Sequence, residues 1–269
     1  MMVLERIQNL VEKGTPGFLL SPFWVLFTFV ICPIVSRNLP RVGDWYKKQS
    51  AEKRLDWDAR VSASLHSAIC FAVNAYAMCA DKDYSFKDLY SHSELVSKSL
   101  DFSLGYFWSD LIVCYRLRNY YGSMSTVYYT HHFVSIFGLT QSKWDGGMWL
   151  CSFRLLSELS TPFMNINFML ELLNLKDSKI HKINQELIFW SFAVCRPLCI
   201  PLFYYCSWHH VSTGQIWKAS AELLFVWVVC GLVLDVLNTV WFCLMSAEYI
   251  KKKMEVFSSP SKAQMKKAS

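Results

Sequence analysis

Charge is what this sequence most lacks. Lys, Arg, Asp and Glu make up 18% of its 269 residues, against about 25% in an average soluble chain. The shortage is local: residues 14–36, 61–80, 119–142 and 197–217 contain none of the four. Each run is about 20 residues or longer, the length a helix needs to cross roughly 30 Å of hydrocarbon. A soluble globule is therefore excluded, and with it collagen, disorder and a nucleic-acid-binding module. The basic excess of +6 is not gathered into a patch interleaved with exposed aromatics, so no nucleic-acid partner is expected.

Familiar catalytic signatures are also missing. No Walker loop, GxGxxG, HExxH or GxSxG occurs, and there is no CxxC pair. Of the ten cysteines, Cys32, Cys70, Cys114, Cys151, Cys195, Cys199, Cys230 and Cys243 lie inside apolar runs, where a thiol behaves as a small hydrophobe. A bridge between Cys79 and Cys206 is the one pairing suggested by position near span ends. No metal site is expected; His209-His210, beside Trp208, reads as an interfacial pair. Trp45, Trp57, Trp144, Trp208 and Trp217 fall near predicted interfaces, as aromatic belts do. No Asn-x-Ser/Thr sequon is present.

What is present predicts an all-α polytopic membrane bundle with about seven spans: 17–36, 61–80, 95–115, 123–142, 146–170, 187–207 and 223–247. Glu5, Arg6, Glu12 and Lys13 precede the first span, which is too long for a cleavable signal. Basic residues in the loops split 18 to 7 between the two sides. The positive-inside rule then puts the N-terminus in the lumen and the C-terminus in the cytosol. The chain divides into residues 1–50 (lumenal N-terminus, first span, cytosolic loop), a six-span domain at 51–250, and a basic tail at 251–269. That tail ends Lys266-Lys267-Ala268-Ser269, the dilysine pattern of retrieval to the endoplasmic reticulum.

Ionisable residues inside spans are expensive and face protein or a cavity. The tandem His131-His132 sits at mid-span, with side chains diverging by about 100°. Arg154, Glu158, Thr161 and Asn165 recur at helical spacing, predicting one polar stripe with an Arg154–Glu158 pair, and Pro162 predicts a kink near Glu158. Asp110, His66, Asn74, Arg196, Asp235 and Asn238 complete the buried set. Arg196 with Asp235 reads as a structural pair. Asp110 beside His131 or His132 is the functional expectation, since a carboxylate can fix an imidazole tautomer.

Several of these residues occur in an ordered series: Trp57-Asp58-Ala59-Arg60 leading to His66, Gly105-Tyr106-Phe107-x-x-Asp110, His131-His132, then Phe153-Arg154-Leu155-Leu156-Ser157-Glu158-Leu159-Ser160-Thr161-Pro162-Phe163. The series resembles the TLC-domain family over about residues 51–250. The resemblance implies membrane helices around a central cavity open to the cytosolic side, in endoplasmic-reticulum-type membranes. It also implies a link to lipid homeostasis. Ceramide synthases of that family transfer an acyl chain from acyl-CoA to a sphingoid amine, using a tandem His and an Asp-x-x-Asp pair. His131-His132 match the tandem His. Leu155 falls at the first aspartate and Glu158 at the second, and Arg154 replaces a His.

Two functions follow as expectations. One is lipid handling, with membrane lipids or fatty acyl chains as partners, no cofactor, and His66, Arg154, Thr161, Asn165, Arg196, Asp235 and Asn238 lining a cavity. The other is an acyltransferase with acyl-CoA as co-substrate, in which His131 or His132 attacks the thioester or acts as base, oriented by Glu158 or Asp110. Ion translocation ranks below both, since no internal repeat appears. Neither the oligomeric state nor the lipid is specified by these residues.

Overall fold

A segment in hydrocarbon has no water to take up its backbone N–H and C=O groups, so it bonds them internally. Accordingly the described residues fold as helices, with no strand among them. The computed structural model describes the backbone of residues 16–268 and side chains through residue 254. The first fifteen residues and the side chains of the dilysine ending lie outside the described residues.

The order is α1 (Pro16–Asn38), α2 (Val42–Lys47), α3 (Ala51–Ala80) and α4 (Glu94–Arg116). A helical turn at Arg118–Tyr121 leads to α5 (Met124–Asp145) and α6 (Met148–Leu155). Then come α7 (Thr161–Leu172), α8 (Lys179–Cys195), α9 (Cys199–Ser212) and α10 (Ala221–Met254). A helix thus lies on every segment read as a span. Four are long and apolar enough to cross a membrane by length and composition: α1, α3, the α8–α9 rod and α10. Helix α4 and the broken α6–α7 rod carry more charged or polar residues. The chain is an all-α, multi-pass membrane protein.

Local chemistry sets the boundaries. Ser50, Ser178 and Ser220 cap α3, α8 and α10, each hydroxyl accepting from the backbone N–H three residues on. Pro33 falls inside α1, and a π-helical turn at Phe27–Ile31 precedes it; the wider turn absorbs the ring's clash with the preceding carbonyl. Pro197 separates α8 from α9, and the residue before it, Arg196, leaves helical geometry (φ −120°, ψ −88°). Before Pro162 the chain tightens into a 3-10 turn at Leu156–Ser160, which is where the sequence predicts a kink.

One core joins Trp24 of α1, Cys70 and Ala77 of α3, Leu100, Leu104 and Phe107 of α4, and Ile136 and Leu139 of α5. A second packs Phe153 and Leu150 of α6 on Phe203 of α9 and Val226 and Trp227 of α10. Outward faces are apolar: Leu19, Ile34, Trp190, Leu198, Val236 and Leu244 are all exposed, as lipid-facing residues are. All ten cysteines are free thiols, Cys79 and Cys206 included.

At one end the loop 81–93 meets the turns at 146–147 and 214–218: Gly147 N–H donates to the Leu89 carbonyl (2.6 Å), and Tyr90 OH to the Lys218 carbonyl (3.1 Å). At the other end Tyr121 OH donates to Asp56 (2.9 Å) and Tyr249 OH to Glu186 (2.5 Å). These two groups of loops fall at opposite ends of the bundle. The 41–60 stretch supplies α2 and the first turns of α3. Asp58 there is buried, accepting from Ser36 Oγ (3.1 Å) and from Tyr46 OH, and it ties α1, α2 and α3 together. Burial and this bond push the Tyr46 phenol well up. Trp57 is likewise buried, its indole N–H donating to Ser36 Oγ (3.2 Å), and is no part of an exposed belt; Trp208 and Trp217 are exposed.

Candidate functional site

The polar residues inside the helices gather around two cavities, with His131 on the wall of both. The first, of about 110 Å³, lies between α4, α5, α6, α8, α9 and α10. Much of its wall is apolar, including Phe107, Leu139, Leu150, Phe153, Phe203 and Trp227. Its polar wall comprises His131, Arg154, Glu158, Arg196 and Asn238.

Each polar group is anchored from behind. Glu158 is buried and accepts from Ser67 Oγ of α3 (2.8 Å); it lies within electrostatic reach of His66, His131 and Arg196. Arg196, freed from the helix at the Pro197 break, donates to Ser160 Oγ (3.0 Å), Asn238 Oδ1 (2.6 Å) and Thr161 Oγ1 (3.5 Å). Arg154 donates to both carboxylate oxygens of Asp235 and stacks over the Phe203 ring at 3.7 Å. Tyr204 OH donates to the same carboxylate (2.8 Å). His131 Nδ1 is buried and has no hydrogen-bond partner. A buried imidazole nitrogen is rarely left so, and here it belongs to a residue on a cavity wall.

Two expected pairings are corrected. Asp235 pairs with Arg154, not Arg196, and Arg154 does not pair with Glu158. The cause is the 3-10 turn at Leu156–Ser160. Each residue there advances about 120° rather than 100°, so the expected stripe splits. Arg154 turns to α10, Glu158 to α3, and Asn165 to Ser64 (3.1 Å) and Arg60 (3.4 Å).

The second cavity, about 190 Å³, lies between α3, α4, α5 and the Arg118–Tyr121 turn. Here Asp110 does meet the tandem histidine: His132 Nε2 is 3.4 Å from Asp110 Oδ2. Cys114, one turn beyond Asp110, places its sulfur 3.8 Å from His132 Nδ1 and 3.9 Å from Asp110 Oδ2. Asp56 and Arg60 form an i,i+4 pair (3.1 Å) on the same wall. Tyr121 OH donates to Asp56 Oδ1 (2.9 Å); burial, then the charges of Asp56 and Asp110, push that phenol well up, so it remains a donor. His66 stands apart from both cavities, stacked on Tyr106 (4.0 Å) with Nε2 3.1 Å from Ser103 Oγ.

Sequence reasoning missed Cys114, Asp56 and Ser67. Asp56 and Arg60 carry an i,i+4 signal. Cys114 carries one too, four residues after Asp110, hidden by its apolar run. Ser67 carries none.

A family model described as the TLC domain matches residues 56–247. Among curated proteins, the chain is 24% identical over 204 residues to TLC domain-containing protein 4-B of Xenopus laevis, covering 75% of this chain and 77% of that one. It is 26% identical over 213 residues to the human TLC domain-containing protein 4 (78% and 80%). It is 22% identical over 218 residues to Protein CLN8 of Canis lupus familiaris (80% and 74%). No solved structure matches.

Proposed function

The chain belongs to the TLC-domain family, and from that premise we propose that it is a lipid-handling protein of the endoplasmic-reticulum membrane. In this reading it takes a lipid or fatty acyl chain into the first cavity and so bears on membrane lipid composition. The carrying observation is the cavity's division into an apolar wall and a polar wall of His131, Arg154, Glu158, Arg196 and Asn238. An amphiphile matches both walls: its chain covers the apolar surface, and its head accepts from the arginines. Burying a polar head among apolar side chains alone would cost several kcal/mol. In this reading the N-terminal side of the first span is lumenal and the basic tail after α10 is cytosolic.

Mass spectrometry of the full chain purified in mild detergent tests this. Bound lipid or acyl species should co-purify, and Gly138→Phe, which fills the cavity from α5, should reduce them severalfold. Lipid-free wild-type protein, or occupancy unaffected by Gly138→Phe, overturns the reading.

A second reading, acyl transfer from acyl-CoA, is favoured by one observation: the unpartnered His131 Nδ1 on a cavity wall. Its lone pair would attack the thioester carbonyl, the carbon–sulfur bond would break, and coenzyme A would leave as thiolate. An amine or hydroxyl would then take the acyl group from the imidazole, losing its proton to that ring. An acyl adduct lost in His131→Ala, with label transfer from acyl-CoA, selects this reading; bound lipid without either dismisses it.

A further inference from the structure

The second cavity holds a donor set that neither reading uses. Asp110 and Cys114 lie one turn apart on α4, and His132 reaches them from α5. One donor atom from each lies within 4.8 Å of the other two. Cys114 and His132 are buried. We propose that Asp110, Cys114 and His132 bind a divalent transition-metal ion of the zinc class, with an open coordination position facing the second cavity.

The spacing leaves room for an ion between the three donors. A charge-assisted N–H to carboxylate bond closes to about 2.7–2.9 Å, whereas His132 Nε2 and Asp110 Oδ2 are 3.4 Å apart. Both sulfur distances, 3.8 and 3.9 Å, are long as well. Around a tetrahedral zinc with bonds of about 2.0–2.3 Å, neighbouring donor atoms sit roughly 3.3–3.6 Å apart. Only one imidazole nitrogen can bind the ion, and the closest contacts of the carboxylate and the sulfur are to different ones, Nε2 and Nδ1. One donor atom from each residue lies within 4.8 Å of the other two, so the Cys114 and His132 side chains turn to bring all three to those edges.

The thiol lies nearest His132 Nδ1 and the carboxylate nearest Nε2, while thiol and carboxylate also approach each other to 3.9 Å. Binding one ion draws the thiolate and the carboxylate to a single imidazole nitrogen.

Charge and ligand type agree. Thiolate with imidazole suits zinc-class ions, while calcium and magnesium demand oxygen. The Cys114 thiol loses its proton on binding, released through the cavity. Thiolate and carboxylate then cancel the two positive charges, leaving a neutral centre in a low-dielectric interior, where an unpaired charge is heavily disfavoured. Three protein ligands and a free position are the pattern of reactive rather than closed zinc sites. The cavity of about 190 Å³ in front leaves room for that fourth ligand.

The inference does not depend on lipid in the first cavity, and its test reads metal alone. The full chain, purified in detergent with no metal-chelate step, is analysed for metal content, then stripped and titrated with zinc and with cobalt(II). Wild type should carry near-stoichiometric metal. With cobalt it should show a thiolate-to-metal charge-transfer band in the near ultraviolet. Cys114→Ala and His132→Ala should weaken binding by at least about tenfold, and Cys70→Ala should leave it unchanged. Cys114→Asp, which restores a ligand without sulfur, should bind cobalt but lack the band, so the assignment survives even where the alanine variant fails to fold. Wild-type protein that takes up neither metal, or undiminished binding in both alanine variants, overturns the proposal.

Discussion

Two arginines line the first cavity, and each is held differently. Arg154 is matched by charge: both oxygens of Asp235 accept from it, and Phe203 covers its face. Arg196 is held by the neutral oxygens of Ser160, Thr161 and Asn238, with Glu158 near but not bonded. The difference predicts different responses to mutation. Asp235→Ala strands a largely buried guanidinium, and breaking such a pair costs about 3–5 kcal/mol, a loss measurable by thermal unfolding in detergent. The double variant Arg154→Met/Asp235→Leu removes both charges and should recover most of it; losses that simply add would refute the pairing. The residue types that carry this network were legible in the sequence, because charge inside a span is costly and must be met. The partners were not. Pairing by i,i+4 spacing assumes an unbroken helix, and the 3-10 turn before Pro162 rotates Glu158 away from Arg154.

At the scale of elements, α1 is drawn against α4 by two glycines. A methyl placed on Gly17 would lie 2.6 Å from Leu104 Cβ, and one on Gly105 would lie 2.7 Å from Leu20 Cβ and 2.9 Å from the Leu20 carbonyl carbon. Without a hydrophobic drive between helices in lipid, such close approach supplies the association. Gly105→Ala meets backbone that cannot swing aside, and overpacking of this kind costs about 1–3 kcal/mol. Gly138→Ala, whose nearest neighbour is Val226 Cγ1 at 3.7 Å, should be close to neutral. A lowered unfolding temperature for the first variant and not the second is the expected result; equal effects would show that the contact does not hold α1 in place. The sequence shows that these helices exist, since length and apolarity are local properties. It does not show which helices touch, since Gly17 and Gly105 look like any other small residue in an apolar run. For the same reason Cys114 reads as a hydrophobe until α5 brings His132 to it.

At the scale of the whole molecule, the 18-to-7 split of basic residues depends on which loops share a side, and the fold bears on that assumption. Loops 81–93, 146–147 and 214–218 are hydrogen-bonded together at one end. Asp56, Arg60 and Tyr121 meet at the other, as do Glu186, Tyr249 and Lys253. The richer side is the one carrying residues 37–60, 116–122, 171–186 and the C-terminal tail, and in the proposed reading, by the positive-inside rule, it is the cytosolic one. Asp83 and Lys176 are exposed on opposite ends, so single cysteines there report the orientation against a background in which the exposed Cys79 and Cys243 are replaced by Ser. In sealed microsomes, Lys176→Cys should react with a membrane-impermeant maleimide at once. Asp83→Cys should react only after the membrane is permeabilised. The reverse pattern would invert the molecule. Labelling of both cysteines before permeabilisation would break the alternation itself, and with it an odd number of crossings between them.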